Sequence, residues 1–269
     1  MNPDRLSLNQ ITLEQAPMRD VLLACAKEGI TSVGLWRHKL GDHGVWHTKG
    51  LLDECGLRVS SLCRGGMFPW VDAADARRRA DDNRRAVDEA AELGADVLVL
   101  VCGPAPDRDL HKARGQVADG IAELLPYAEA AGVRLGVEPL HPMMITARSV
   151  IVTLAQANDL VEAFHSPFLG VVVDAYHVWW DPDLDTELER ATGRILGFHV
   201  SDWLRDTPDV VYGRGLMGEG EIDLPAIAAA VEAAGYDGPV EVEILNRELW
   251  TRDPYDVLAE VKSRFVEHV

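Results

Sequence analysis

Short runs rich in Val, Leu and Ile alternate with longer amphipathic stretches along the whole chain. Eight of the runs have strand length and composition: Leu6–Asn9, Ser32–Trp36, Leu57–Leu62, Val97–Val101, Arg134–Glu138, Gly170–Asp174, Ile195–Val200 and Val240–Leu245. The intervals between them carry helical patterns, clearest over Asp72–Leu93, Leu110–Ala131, Val150–Phe164, Leu224–Ala234 and Pro254–Glu267. Five helical runs stop at a glycine: Gly29, Gly56, Gly94, Gly132 and Gly235. Glycine supplies the left-handed cap that ends a helix, and in each case the next strand begins within a few residues. Repetition of this joint means repeated strand–helix units and a parallel sheet. Eight units in a chain of this size predict an α/β protein made of a single (β/α)₈ TIM barrel domain over residues 1–269. An open doubly wound sheet is the alternative, but no glycine-rich dinucleotide fingerprint follows the first strand.

Composition adds limits rather than detail. The 269 residues are 47% hydrophobic and 26% charged, enough for one large core without staples. The formal net charge of −18 predicts a well-solvated acidic surface and disfavours a nucleic-acid partner. Cys25, Cys55, Cys63 and Cys102 form no C-x-x-C pair, and the polar N-terminus has no signal-peptide core. No run is long enough to span a bilayer. A cytoplasmic chain with reduced thiols is expected, with Cys63 and Cys102 read as packing residues rather than nucleophiles.

Barrel enzymes carry their chemistry at the carboxyl ends of the strands. Strand five ends in LGVEPLHP, giving Glu138 and then His141; strand six ends in GVVVDAYH, giving Asp174 and then His177. Strand seven ends in ILGFHVSD, giving His199, and strand eight contains VEVEIL, giving Glu243. Neighbouring strands lie about 4.8 Å apart, so these four side chains converge. Three gathered carboxylates raise one another's proton affinity, and a divalent cation removes that conflict. Oxygen donors plus one imidazole suit Mn²⁺ first, with Mg²⁺, Co²⁺, Fe²⁺ and Zn²⁺ as further candidates for a single bound metal ion. The alternative for any one of these residues is a cap or a salt-bridge partner.

The front half offers binding residues. Trp36-Arg37 ends strand two, and Cys63-Arg64-Gly65-Gly66-Met67-Phe68-Pro69-Trp70 follows strand three as a candidate lid or a packed rim loop. Trp36, Arg64 and Phe68 are therefore candidate substrate contacts. Trp179, Trp180 and Trp203 are candidates for an apolar pocket wall or for loop packing.

These motifs together, E138-P-L, D174-A-Y-H177, F-H199-V-S-D-W-L-R205, G218-E-G-E-I-D223 and E241-V-E243, resemble the xylose isomerase-like barrel superfamily. Its members include ketose 3-epimerases, inosose dehydratases and hydroxypyruvate isomerases. The resemblance implies that Glu138, Asp174, His199 and Glu243 are metal ligands and that Glu138 and Glu243 also act as acid and base. It implies that His177 and Arg205 hold substrate hydroxyls. One departure stands out: related sugar epimerases read E-P-L-N-R where this chain has Glu138-Pro139-Leu140-His141-Pro142, and they carry a further Glu where it has Met144. His141 is thus a candidate general base, or alternatively a residue that orients substrate or ligand.

The function expected is a metal-dependent sugar isomerase or epimerase acting on a keto sugar or polyol through an enediolate. A lyase performing β-elimination on a keto sugar or keto-cyclitol is the alternative, with a non-catalytic sugar-binding barrel and an apurinic endonuclease further behind. The expected partner is a small sugar or keto sugar, neutral in preference to phosphorylated, with no nucleic acid and no membrane; a homo-oligomer is left open.

Overall fold

The structure is a computed structural model that describes residues 1–40 and 44–269. Eight parallel strands close into a barrel in sequence order: β1 Leu6–Asn9, β2 Ser32–Trp36, β3 Arg58–Gly65, β4 Leu98–Leu100, β5 Leu135–Val137, β6 Leu169–Asp174, β7 Ile195–Val200 and β8 Val240–Val242. The ring shuts through β1 and β8, where Ser7 pairs with Glu241. The helices among the described residues are α1 Met18–Lys27, α2 Gly44–Cys55, α3 Ala73–Leu93, α4 Leu110–Ala131, α5 Leu154–Phe164, α6 Ala175–Val178, α7 Leu184–Arg190, α8 Leu224–Ala233 and α9 Pro254–His268. The expected (β/α)₈ barrel is present.

The glycine joints behave as expected. Gly29, Gly56, Gly94, Gly132 and Gly235 all have φ between 66° and 90°, where a β-carbon is strained. Helix starts are set by side-chain caps. Asp72 accepts from the amides of Ala74 and Asp75 to open α3, and Thr153 accepts from Gln156 to open α5. That second cap corrects the expected start of α5: residues 150–153 are not helical. Leu140 N–H donates to Ile151 O and Val150 N–H to Gly103 O, so this stretch ties the β5 exit to the rim.

Strand three runs further than expected. Trp36 of β2 pairs with Cys63, and Leu100 of β4 pairs with Gly65, so 63–65 belong to the barrel wall. The following turn is pinned rather than lid-like. Gly66 has φ +96° and its amide donates to Asn83 Oδ1; a β-carbon there would lie 2.9 Å from Val101 N. Phe68 is buried against Gly120 of α4, where a β-carbon would meet its ring at 2.3 Å. Arg79 Nη1 donates to Met67 O, and Gln116 bonds both the amide and the carbonyl of Trp70.

Candidate metal centre

The four strand-end side chains converge. Glu138, Asp174, His199 and Glu243 are all buried, and one ligand atom from each lies within 4.8 Å of all the others. Barrel pairing places them: Asp174 is directly opposite His199 across β6 and β7, Glu138 N–H donates to Leu100 O, and Glu243 N–H donates to Val200 O. Glu138 and Glu243 each sit one residue beyond the paired part of their strand, so their side chains enter the mouth rather than the packed interior.

A residue not anticipated from the sequence, Arg214, spans the cluster. Its Nη1 lies 2.9 Å from Asp174 Oδ2 and 3.2 Å from Glu243 Oε2, and its Nη2 lies 3.2 Å from His177 Nε2. The guanidinium also stacks over Tyr176, 4.4 Å from the ring centroid. Its backbone is fixed in the loop after β7: Arg214 N–H donates to Leu245 O, and Asn246 Nδ2 donates to Arg214 O. The ring nitrogen of His177 facing Arg214 must accept, so His177 is neutral; burial, followed by Arg214's charge, pushes its pKa down to about 3 even against the attraction of Asp174.

Glu241, two residues before Glu243 and on the same strand face, forms a floor under the cluster. Its oxygens accept from Asn9 Nδ2 at 2.6 Å, Ser60 Oγ at 2.5 Å and Ser61 Oγ at 2.9 Å. Room for this carboxylate comes from Gly34, since a β-carbon there would lie 2.1 Å from Glu241 Oε1. Asn9 Nδ2 also donates to Glu243 Oε1 at 3.1 Å, while Asn9 Oδ1 accepts from Trp36 Nε1 at 2.9 Å. One amide therefore orients both glutamates and a wall tryptophan.

His199 lies between these groups. Its Nδ1 faces Glu138 Oε1 at 3.3 Å and Glu243 Oε2 at 4.0 Å, and its Nε2 faces Glu241 Oε1 at 3.6 Å. Burial opposes a charge on this ring, but the carboxylates of Glu241, Glu138 and Glu243 outweigh it and raise its pKa to about 10. Glu243 is itself raised, first by burial, with Arg214 and His199 opposing. In Asp174 burial acts upward, but the nearby positive charge of Arg214 and the histidines holds the carboxyl below its ordinary value.

The donor set fits a divalent cation. Glu138 Oε1 and both ring nitrogens of His199 are buried without a hydrogen-bond partner among the described residues. Buried polar atoms are rarely left so, and three carboxylates with one imidazole are hard-to-borderline ligands suited to Mn²⁺, Mg²⁺, Co²⁺, Fe²⁺ or Zn²⁺.

Residues 22–261 match the family described as the xylose isomerase-like TIM barrel. The chain belongs to that family. Among curated relatives of this xylose isomerase-like barrel, L-ribulose-5-phosphate 3-epimerase UlaE of Escherichia coli O1:K1 / APEC is 27% identical over 215 residues, covering 77% of this chain and 70% of that protein. Among solved structures, protein SMc04130 of Sinorhizobium meliloti 1021 superposes with a TM-score of 0.96 at 43% identity, covering 99% of this chain and 98% of its own. The IOLI protein with a bound zinc atom superposes with a TM-score of 0.84 at 21% identity, covering 98% and 97% of the two chains, and shares the fold.

The remaining candidates of this xylose isomerase-like barrel divide. Trp36, Arg64 and His177 line one cavity together with Glu138, Glu243 and Arg214. Phe68 lies elsewhere, lining a cleft between α3 and α4 with Trp70 and Gln116, because packing on Gly120 turns it outward from the barrel mouth. Arg205 also departs from expectation: its side chain is 77% exposed, and its Nε and Nη2 donate to Glu221. The cause is Asp202, whose carboxylate gathers the amides of Trp203, Gly218, Gly220 and Ile222 and folds the loop so that residue 205 faces solvent. His141 is half-buried on the rim, packed against Trp203 in a tilted arrangement with ring centroids 4.7 Å apart, and its Nδ1 accepts from Met143 N–H. Trp179 and Trp203 pack together beside it, so these tryptophans brace loops. Cys63 and Cys102 are buried free thiols whose pKa values burial raises, which fits packing residues.

Arg214 and Glu241 carried different signals. Glu241 was legible as an inward position by the two-residue period of its strand. Arg214 lies in a loop with no periodicity, and only its place between Gly213 and Gly215 marked it.

Proposed function

We propose that this protein is a divalent-metal-dependent isomerase or epimerase of a keto sugar. The observation that carries the reading is the convergence of Glu138, Asp174, His199 and Glu243 at the carboxyl end of the barrel with unsatisfied donor atoms turned toward one another. The similarity to L-ribulose-5-phosphate 3-epimerase supports the same class. These four residues would hold one cation, Mn²⁺ first among the candidates, which supplies Lewis-acid charge to substrate oxygens when bound.

The chain's own groups then divide the work. Arg214 and neutral His177 present N–H groups to hydroxyl or carbonyl oxygens at the cavity wall. Burial raises the proton affinity of Glu243 toward neutrality, which suits it to giving and taking a proton at carbon next to a carbonyl. Glu138, whose Oε1 has no hydrogen-bond partner among the described residues and faces His199 Nδ1 at 3.3 Å, is the second proton-transfer partner. Trp36 and Leu140 close the apolar side and limit water.

The reading is tested by proton exchange. A panel of free and phosphorylated ketoses with Mn²⁺ in D₂O, followed by NMR, should show deuterium entering the carbon next to the carbonyl of at least one of them. Absence of exchange in every ketose, from protein that holds one metal equivalent, would overturn it. A β-elimination would gain from His141 as an additional base, and the engaged Nδ1 and rim packing of that ring do not favour that role.

A further inference from the structure

Arginines near the barrel mouth are of two kinds. Arg37 is committed to Asp82 and Glu89, Arg205 to Glu221, and Arg214 to Asp174 and Glu243. Among the described residues Arg64 and Arg148 have no such partner. Arg64 Nη1 reaches only Met67 Sδ at 3.7 Å, and Arg148 Nη2 reaches only the Tyr212 hydroxyl at 3.3 Å. Among the described residues no carboxylate oxygen comes within the 4.0 Å of an ion pair with either guanidinium. Yet both line the same cavity as Glu138, His177 and Glu243.

This is an unusual arrangement for a chain of net charge −18, where an uncommitted arginine has many carboxylates to choose from. Two half-buried cations in one cavity repel each other, and partly desolvated cations without a counter-charge cost stability. The effect is visible at Arg64, whose pKa is lowered first by burial and then by Arg148. An anion between them removes both costs, and planar guanidinium forks match the oxygens of a phosphate or carboxylate.

We propose that Arg64 and Arg148 form a subsite for an anionic group, a phosphate or a carboxylate, carried by the substrate. This rests on the reading that the neighbouring cluster processes a keto sugar, and it reverses the expectation of neutral substrates. The fold commits Arg37 and Arg205 to carboxylates and brings Arg148, 84 positions from Arg64 in sequence, into the same cavity as Arg64.

Two measurements test it on the intact protein. First, inorganic phosphate and acetate are titrated by calorimetry into chelator-treated protein, so that no cation can hold the anion. Saturable binding of at least one is expected, weakened about 10- to 100-fold in Arg64→Gln and in Arg148→Gln, the range for losing a charge-assisted hydrogen bond. Second, exchange in D₂O is compared for a pentulose, its 5-phosphate and a keto-aldonate of equal length. The 5-phosphate leading in kcat/KM assigns phosphate; the keto-aldonate leading assigns carboxylate; either supports the subsite. Wild-type protein that binds neither anion and turns over the free pentulose as well as both charged compounds overturns it while leaving the isomerase reading intact. Anion binding that depends on both arginines, without exchange in any ketose, sinks the isomerase reading and keeps the subsite. Because the wild-type measurements decide alone, variants that fail to fold do not remove the test.

Discussion

Arg214 Nη1 lies 2.9 Å from Asp174 Oδ2, and both side chains are buried. The pair holds one carboxylate of the cluster ionised and fixed before any cation arrives, and the same nitrogen reaches Glu243. Removing a buried partner leaves the remaining charge uncompensated, at a cost of roughly 3–5 kcal/mol. Arg214→Leu should therefore lower the melting temperature of chelator-treated protein sharply, and Mn²⁺ should restore part of the loss by supplying positive charge to the same carboxylates. Equal melting curves for variant and wild type in chelator would refute this.

Metal content follows from the ligand set. Wild-type protein dialysed against Mn²⁺ should retain near one equivalent by elemental mass spectrometry. Asp174→Asn and His199→Ala should each lose it, and activity with it. Retention of one equivalent in both variants would place the cation elsewhere.

Glu241 acts through His199, since its Oε1 lies 3.6 Å from His199 Nε2 while Nδ1 faces Glu138 and Glu243. A carboxylate behind a ligating imidazole fixes its orientation, and losing it typically weakens metal binding about 10- to 100-fold. Glu241→Gln should shift the calorimetric Kd for Mn²⁺ by that amount with little change in fold. Unchanged affinity would reduce Glu241 to a packing role.

Protons compete with the cation. His199 is raised to about 10 and Glu243 is raised above its ordinary value, so both carry a proton over much of the neutral range when metal is absent. Because each folded-state pKa lies above its unfolded value, each contributes stability to the metal-free fold that is present at low pH and lost as pH rises. For His199 the loss spans the interval from the ordinary imidazole value of 6.5 to about 10. Chelator-treated protein should thus melt at progressively lower temperature through that interval, while Mn²⁺ affinity, which requires proton release, should increase. Calorimetry in buffers of different ionisation enthalpy reads the released protons; binding with no proton release would contradict the assignment.

His141→Asn separates its two readings. As a rim residue packed against Trp203 it should lose far less turnover than the ~10²–10⁴-fold typical of a missing general base. A loss in that full range with metal content intact would return His141 to the chemistry.

The sequence by itself determined the barrel and the four strand-end residues that converge at its mouth, and it did so for local reasons. Strand and helix periods, and five glycines that must adopt positive φ, are written in neighbouring residues. The rule that strand carboxyl ends carry chemistry then pointed to Glu138, Asp174, His199 and Glu243 without any knowledge of distances. Only the tertiary structure decided which loop residues join them. Arg205 and Arg214 follow the same strand and are both arginines; the amides gathered by Asp202 turn one to solvent, while pairing with Leu245 and Asn246 turns the other inward. Phe68 and Arg64 sit four residues apart, and packing on Gly120 of a distant helix sends one out of the cavity while the other stays in its lining. Strand ends are positioned by a regular hydrogen-bond ladder whose period shows in the chain, whereas loop side chains are positioned by partners far away in sequence, and no local pattern encodes those partners.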